Sequence, residues 1–403
     1  MVNFRLQRAA LVVALLAAAL KWGVLPYVDA AAFIVRAANL TDGLPGRIAA
    51  ARAHETTRVD LPPIATRHGA VAARLYRPAR VSRAILLVPG VHLDGIDETR
   101  LIGMAEDLAA TGYAVVTVAP PDLQQFKITP ANTDIIEDAA LWLAKQPELA
   151  PDGRVGMMGI SFSGGLSVVA AGRPDLREHV AFVMSFGGHG DLARVMRYLC
   201  SGSMPPAPPA ERLAGVVTGA DSLVMRPPHD YGVTVALLTF ADRVVPADQV
   251  APLSTGIGIY LRASSLTLVD MEQATAEFAH ARAYADTLPE PSRTLMTHVN
   301  NRAVDQLGPL LLPVVEKLAS SPEVRSLSPE LVPPPQAPVF LLHGSEDTVI
   351  PPLETLFLAA HLRTTGTVRA LLSGLITHAE VDRSAAASAV WELTRFWRDL
   401  MRY

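Results

Sequence analysis

The stretch that most constrains this chain is residues 154–171, which read RVGMMGISFSGGLSVVAA. Residues 155–158 are an apolar run of strand type. Gly159-Ile160-Ser161-Phe162-Ser163-Gly164-Gly165 is a tight, glycine-rich turn, and residues 166–171 continue as small and apolar residues of helix type. A serine at the centre of a sharp strand-to-helix turn has a strained backbone and presents its hydroxyl beyond the end of a sheet. Crowding in such a turn demands small residues two positions away on each side. Gly159 and Ser163 stand there, Ser163 in place of the usual second glycine, and Gly164 and Gly165 let the helix pack closely on the strand. A helix start with a serine N-cap fits the same residues. Centring the turn on Ser163 would flank it with Ser161 and Gly165, which sterics also permit. The stretch therefore needs partners elsewhere in the chain.

Its surroundings have a regular order. Residues 59–61 and 71–76 alternate weakly and read as a first pair of strands joined around His68 and Gly69. Residues 84–88 and 114–118 are continuous apolar runs, the pattern of strands covered on both faces. Helical spacing lies between and after them, at 101–111 and 133–145, and residues 180–186 form another strand. Strand and helix alternating in this way predict a mostly parallel sheet with helices on both faces. Ligands of such sheets bind beyond the carboxyl ends of the strands. Pro89-Gly90-Val91-His92 and Gly187-Gly188-His189-Gly190-Asp191 are loops at such ends, so His92 and His189 are candidates to line a pocket, with surface or turn roles as the alternative. The rhythm breaks over residues 192–336, which carry proline clusters at 205–209 and 333–335 and helical patterns at 231–241, 271–285 and 304–318. Residues 337–343 resume as a strand, followed by a helix at 352–362, a strand at 368–372 and a terminal helix at 380–401.

A serine hydroxyl is a poor nucleophile until a base takes its proton, and the base needs an acid to orient it. Two late segments supply both groups. Phe340-Leu341-Leu342-His343-Gly344-Ser345-Glu346-Asp347-Thr348-Val349-Ile350-Pro351 follows a strand, and Leu371-Leu372-Ser373-Gly374-Leu375-Ile376-Thr377-His378-Ala379-Glu380 places His378 between the last strand and the last helix. With the serine turn, these segments resemble the α/β-hydrolase superfamily, in which nucleophile, acid and histidine follow in that chain order. HGSEDTVIP looks like the superfamily's HG-x-x-D-x-x-(V/I)-P segment, and the core looks closest to the dienelactone-hydrolase and prolyl-oligopeptidase-like branches.

The resemblance implies an α/β-hydrolase fold and carries the nucleophile role to Ser161, the acid to Asp347 and the base to His378. Asp191 is the alternative acid. The implied oxyanion hole is the backbone N–H of Phe162 together with that of Val91. Pro89 stands where relatives carry histidine, so His92 remains an alternative donor for Val91. Dienelactone hydrolases proper use a cysteine nucleophile, whereas this chain has Ser161. The expectation is a serine hydrolase cleaving a carboxylic ester of a small-molecule acyl substrate. Acyl transfer, peptide cleavage and an inactive membrane-tethered binding protein are the alternatives. The segment 192–336 is expected to be a large, mainly helical cap, which sets the pocket.

A net charge of -4, with charged residues at 18% of the chain, excludes a nucleic-acid partner held through phosphates. The single cysteine, Cys200, excludes an intrachain disulfide and a cysteine-built zinc cluster, and no phosphate-cradling loop, metal or cofactor motif is present. Arg5 and Arg8 precede an uninterrupted apolar run at 9–20, so residues 1–30 read as a signal peptide or a membrane anchor. Small-x-small cleavage sites lie at Ala17-Ala18-Ala19 and at Ala30-Ala31-Ala32. A basic start holds the N-terminus in the cytoplasm and the catalytic body outside; a buried N-terminal helix, and a cytoplasmic protein, is the alternative. The expected division is then a helical lead-in at 31–55, the first part of the core at 56–191, the cap at 192–336 and the second part of the core at 337–403. The oligomeric state is left open.

Overall fold

The computed structural model describes residues 23–40, 42–209, 211, 216–218, 227–267, 269–376 and 387–403. A sheet runs through it in the order β1-β2-β4-β3-β5-β6-β8-β9-β7. β1 (Thr56–Thr66) and β2 (Gly69–Pro78) form an antiparallel hairpin, and β2 pairs antiparallel with β4 (Tyr113–Val118). β3 (Arg83–Val88), β4, β5 (Val155–Ile160), β6 (Val180–Phe186), β8 (Val339–Gly344) and β9 (Val368–Ser373) are parallel, as expected from the alternation of strand and helix.

Alternate residues of the central strands enter two separate buried clusters, which explains their unbroken apolar runs. Ala84, Leu86 and Val88 of β3 face one side, together with residues of the helices Pro130–Ala144 and Phe162–Ala171. Ile85 and Leu87 face the other, with Leu101 and Leu108 of the helix Thr99–Ala109 and Phe396 of the helix Ala387–Leu400. The first cluster continues without a break into the insertion through Val195, Leu199, Val233, Leu253 and Ile257. The insertion is thus built onto one face of the sheet and shares its core.

The described residues of 192–336 are mainly helical, with Leu192–Ser201, Asp230–Thr239, Ala247–Leu266, Met271–Ala285, Ser292–Asn300 and Val304–Leu318 as the main pieces. β7 (Val216–Thr218) is a short strand within this mainly helical segment; it pairs parallel with β9 and extends the sheet edge.

At the other end, the helical lead-in expected at 31–55 corresponds to two helices, Leu25–Ala37 and Gly43–Arg52. The first packs on the terminal helix. Tyr27 stacks on Trp391 with ring centroids 5.2 Å apart, Phe33 meets Trp397 at 4.3 Å, and Arg398 bonds the Tyr27 hydroxyl. Ala30 and Ala32 are buried in that helix, so cleavage at Ala30-Ala31-Ala32 would cut a packed element. The apolar run 9–20 and Ala17-Ala18-Ala19 lie outside the described residues. Among the described residues, no helix is long and apolar enough to cross a membrane.

Candidate active site

β5 ends at Ile160, and the chain reverses at Ser161 before entering the helix Phe162–Ala171. Ser161 has φ +56° and ψ −133°. That region costs a residue with a Cβ about 1–3 kcal/mol and persists only where surrounding structure enforces it. The enforcement is visible. The Ser161 N–H donates to the Phe186 carbonyl of β6 at 2.7 Å, and the Ser161 carbonyl accepts from Gly164 N–H at 2.8 Å. A Cβ on Gly159 would overlap the Ser163 carbonyl, and one on Gly164 would lie 2.5 Å from the Ser185 hydroxyl. The small residues of the turn are therefore steric requirements of this strand-to-helix reversal.

The two serines of the turn differ in their surroundings. Ser163 is wholly buried, and its hydroxyl donates to the Pro89 carbonyl at 2.6 Å. It pins the loop after β3 to the turn. Ser161 is half-buried at the strand end. The loop after β3 lies against it, since a Cβ on Gly90 would stand 3.6 Å from the Ser161 Cβ. Val91, next in that loop, is 8% exposed. Phe162 is the first residue of its helix, where backbone N–H groups have no intrahelical partner.

Asp347 lies in the loop after β8. Its Oδ1 accepts from the N–H groups of Val349 at 2.8 Å and Ile350 at 3.0 Å. Its Oδ2 is 3.4 Å from the Nε2 of His343. His343 is wholly buried, and its Nε2 lies 2.8 Å from the Ile350 carbonyl. A carbonyl can only accept, so Nε2 carries a proton, and Nδ1 lies 2.8 Å from the Thr355 hydroxyl. His343 thus braces the loop after β8, the structural role its place in the motif implies. A Cβ on Gly187 would be 3.6 Å from Asp347 Oδ2, and Gly187 directly follows the Phe186 whose carbonyl holds Ser161. The ends of β5, β6 and β8 therefore converge on one place.

His378 lies outside the described residues. The strand that leads to it is described: Gly344 of β8 is in register with Ser373 of β9, and Ser345 N–H donates to the Ser373 carbonyl at 3.1 Å. Glycine is needed at 344, because a Cβ there would overlap the Ile376 carbonyl.

The other histidines differ from each other. His92 sits on the loop after β3, where its Nδ1 accepts from Asp94 N–H at 3.2 Å and burial lowers its pKa, opposed by Glu98 and Asp94. His189 does not line an open pocket. Its ring is 0% exposed, wedged against Gly165 and tilted on Phe162 at 5.7 Å, and its Nε2 donates to the Leu327 carbonyl at 2.9 Å. Its place on a strand-end loop suggested a pocket. The close approach that Gly165 allows draws the ring into the core instead. Asp191, the alternative acid, is an N-cap: its Oδ1 accepts from Ala193 N–H at 2.9 Å and Arg194 N–H at 3.3 Å.

Sequence reasoning missed the ionic joint beside these residues. Arg194 reaches Glu354 (Nε to Oε1, 2.5 Å) and Glu330 (Nη2 to Oε1, 2.6 Å). Glu354 is wholly buried and also accepts from Gly190 and Asp191 N–H at 2.8 and 3.0 Å. Three residues far apart in sequence carry no signal of such a joint. Among the described residues, no group of histidine, cysteine, aspartate and glutamate could hold a metal ion. Cys200 is buried, and burial pushes its thiol up to about 12, so it is inert.

A family model described as X-Pro dipeptidyl-peptidase (S15 family) matches residues 70–380. Similar solved structures include an esterase from Pyrobaculum calidifontis, 14% identical over 93% of this chain and 91% of that one, with a TM-score of 0.41. Brefeldin A esterase, a bacterial homologue of human hormone-sensitive lipase, is 15% identical over 94% and 87%, with a TM-score of 0.46. A dienelactone hydrolase from Anabaena variabilis is 14% identical over 87% and 99%, with a TM-score of 0.40. No curated protein matches the chain.

Proposed function

The chain belongs to the X-Pro dipeptidyl-peptidase (S15) family and is a hydrolase of α/β-hydrolase fold, and on that premise we propose that it is a serine hydrolase acting through an acyl-enzyme on Ser161. The observation that carries this reading is the enforced positive φ of Ser161 at the end of β5, with the Asp347 carboxylate beside the neighbouring strand end. In this reading the Ser161 hydroxyl attacks a substrate carbonyl carbon, and its proton passes to His378, which Asp347 orients. The N–H groups of Phe162 and Val91 hold the developing oxyanion. His378 gives the proton to the leaving group, then takes one from water, which attacks the acyl carbon and releases the acid.

The bond cleaved is a carboxylic ester in the first reading. The family match favours a second, cleavage of a peptide bond after proline. Comparing a small p-nitrophenyl ester with an Xaa-Pro p-nitroanilide separates the two. Ser161→Ala is expected to abolish turnover of whichever substrate is cleaved and to abolish labelling by a fluorophosphonate, with thermal unfolding unchanged. Turnover retained by a folded Ser161→Ala protein would overturn the assignment. We further propose that the protein is exported or membrane-anchored through residues 1–30, with the catalytic body outside the cytoplasm; protease accessibility on intact spheroplasts tests this.

A further inference from the structure

The segment His229-Asp230-Tyr231, at the start of the cap helix Asp230–Thr239, touches two of the loops that carry the chemistry. The Tyr231 hydroxyl donates to the Val91 carbonyl at 2.8 Å. The His229 N–H donates to the carbonyl of Thr348, the residue after Asp347, at 3.0 Å. The segment is itself held within the cap. Asp230 accepts from the Tyr260 hydroxyl at 2.5 Å, lies 3.0 Å from His229 Nδ1, and has Arg302 at 3.6 Å. The Tyr231 ring meets Phe126 edge-on, with centroids 6.4 Å apart.

We propose that Tyr231 is a positioning residue for the oxyanion loop, through which the cap sets the direction of the backbone donors beside Ser161. This rests on the reading of Ser161 as nucleophile. The physical reason lies in the peptide unit. The Val91 carbonyl and the His92 N–H belong to one planar trans group, so they point in opposite directions. Fixing the carbonyl on Tyr231 fixes the His92 N–H, and it restrains the Val91 N–H one residue back. A hydrogen bond accepted at one end of a peptide also strengthens its donor at the other end. The phenol therefore aims the His92 amide directly and limits the swing of the Val91 amide through the shared Val91 Cα. Burial raises the Tyr231 pKa, which keeps the hydroxyl a neutral donor. A clamp reaching both the oxyanion loop and the acid loop from one turn of the insertion makes the cap part of the catalytic geometry as well as of the pocket.

The test compares Tyr231→Phe with Ser161→Ala and with Tyr260→Phe, which removes the hydroxyl bonded to Asp230 and leaves Val91 untouched. With the cleaved p-nitrophenyl ester, Tyr231→Phe is expected to lose roughly 10-fold in kcat with KM changed less than about 2-fold, short of the ~10²–10³ lost when an oxyanion donor is removed outright. Its affinity for phenylboronic acid, which forms a tetrahedral adduct on serine, should fall in parallel. Tyr260→Phe is expected to unfold at lower temperature with boronate affinity unchanged. Tyr231→His, whose shorter ring keeps an N–H but not its reach, covers the case in which Tyr231→Phe does not fold. Wild-type kcat and boronate affinity in either folded Tyr231 variant, while Ser161→Ala is inactive, would overturn the proposal. Full activity of Ser161→Ala would instead overturn the underlying reading.

Discussion

At the scale of single residues, close packing gives the two serines of the turn different partners. Both serines of GISFSGG are small enough for the turn, and their sequence context alone does not separate them. In the structure the Ser163 hydroxyl donates to the Pro89 carbonyl in a fully buried place, which supports the proposed role of Ser161. Ser163→Ala should therefore leave a buried carbonyl unpaired, which costs about 1–3 kcal/mol, measurable by urea unfolding. The same variant should still be labelled by a fluorophosphonate. Loss of labelling in a folded Ser163→Ala protein would return the nucleophile role to Ser163. The serine at 163 is thus a structural gain over the usual glycine, because it adds a tie between the helix start and the loop after β3.

At the scale of elements, the legible parts of the chain are those where one periodicity dominates. The buried strands read as continuous apolar runs, and the cap helices Met271–Ala285 and Val304–Leu318 have the bounds that their spacing predicts. The helix Ala247–Leu266 was not legible, because Pro252 near its start and two glycines mask a 20-residue pattern. β7 is three residues long, below what alternation can reveal, and only its pairing with β9 defines it. The site divided the same way. Strand-end motifs singled out Ser161 and Asp347 as candidates, whereas the joint of Arg194, Glu330 and Glu354 exists only once the fold brings both ends of the insertion together. That joint makes its own prediction. Arg194 lies over the Phe357 ring at 4.2 Å and is the cation facing the wholly buried Glu354, whose carboxyl burial raises against the opposing pull of Arg194. Arg194→Met should lose roughly 3–5 kcal/mol in urea unfolding, since it strands a buried charge. Adding Glu354→Gln should recover part of that loss. Strict additivity of the two substitutions would show that they do not act as a pair.

At the scale of the whole molecule, cap and core share one hydrophobic cluster, and His189 sits at their joint, between Gly165 of the elbow helix and the Leu327 carbonyl at the cap's exit. Burial lowers its pKa to about 4, against the Leu327 hydrogen bond and Asp191, which raise it, and with Arg194 lowering it further. The unfolded chain would titrate this imidazole near 6.5. Between those values the unfolded state takes up a proton that the folded state refuses, so stability is full above about pH 6.5 and falls as the pH drops toward 4. The shift corresponds to roughly 3 kcal/mol at most. Asp107 works in the opposite direction. Burial raises its carboxyl to about 6 despite the neighbouring Arg36, so over part of the same window acid favours its folded form. The pH dependence of the wild type alone therefore mixes two signs. Comparison with His189→Gln isolates the imidazole, because glutamine can still donate to Leu327 and does not titrate. Urea unfolding from pH 7.5 to 4.5 should show the wild type losing stability relative to His189→Gln as the pH falls, with the gap growing between pH 6.5 and 4.5. Parallel curves would mean that the ring is protonated without penalty, which its complete burial at the joint between cap and elbow does not allow.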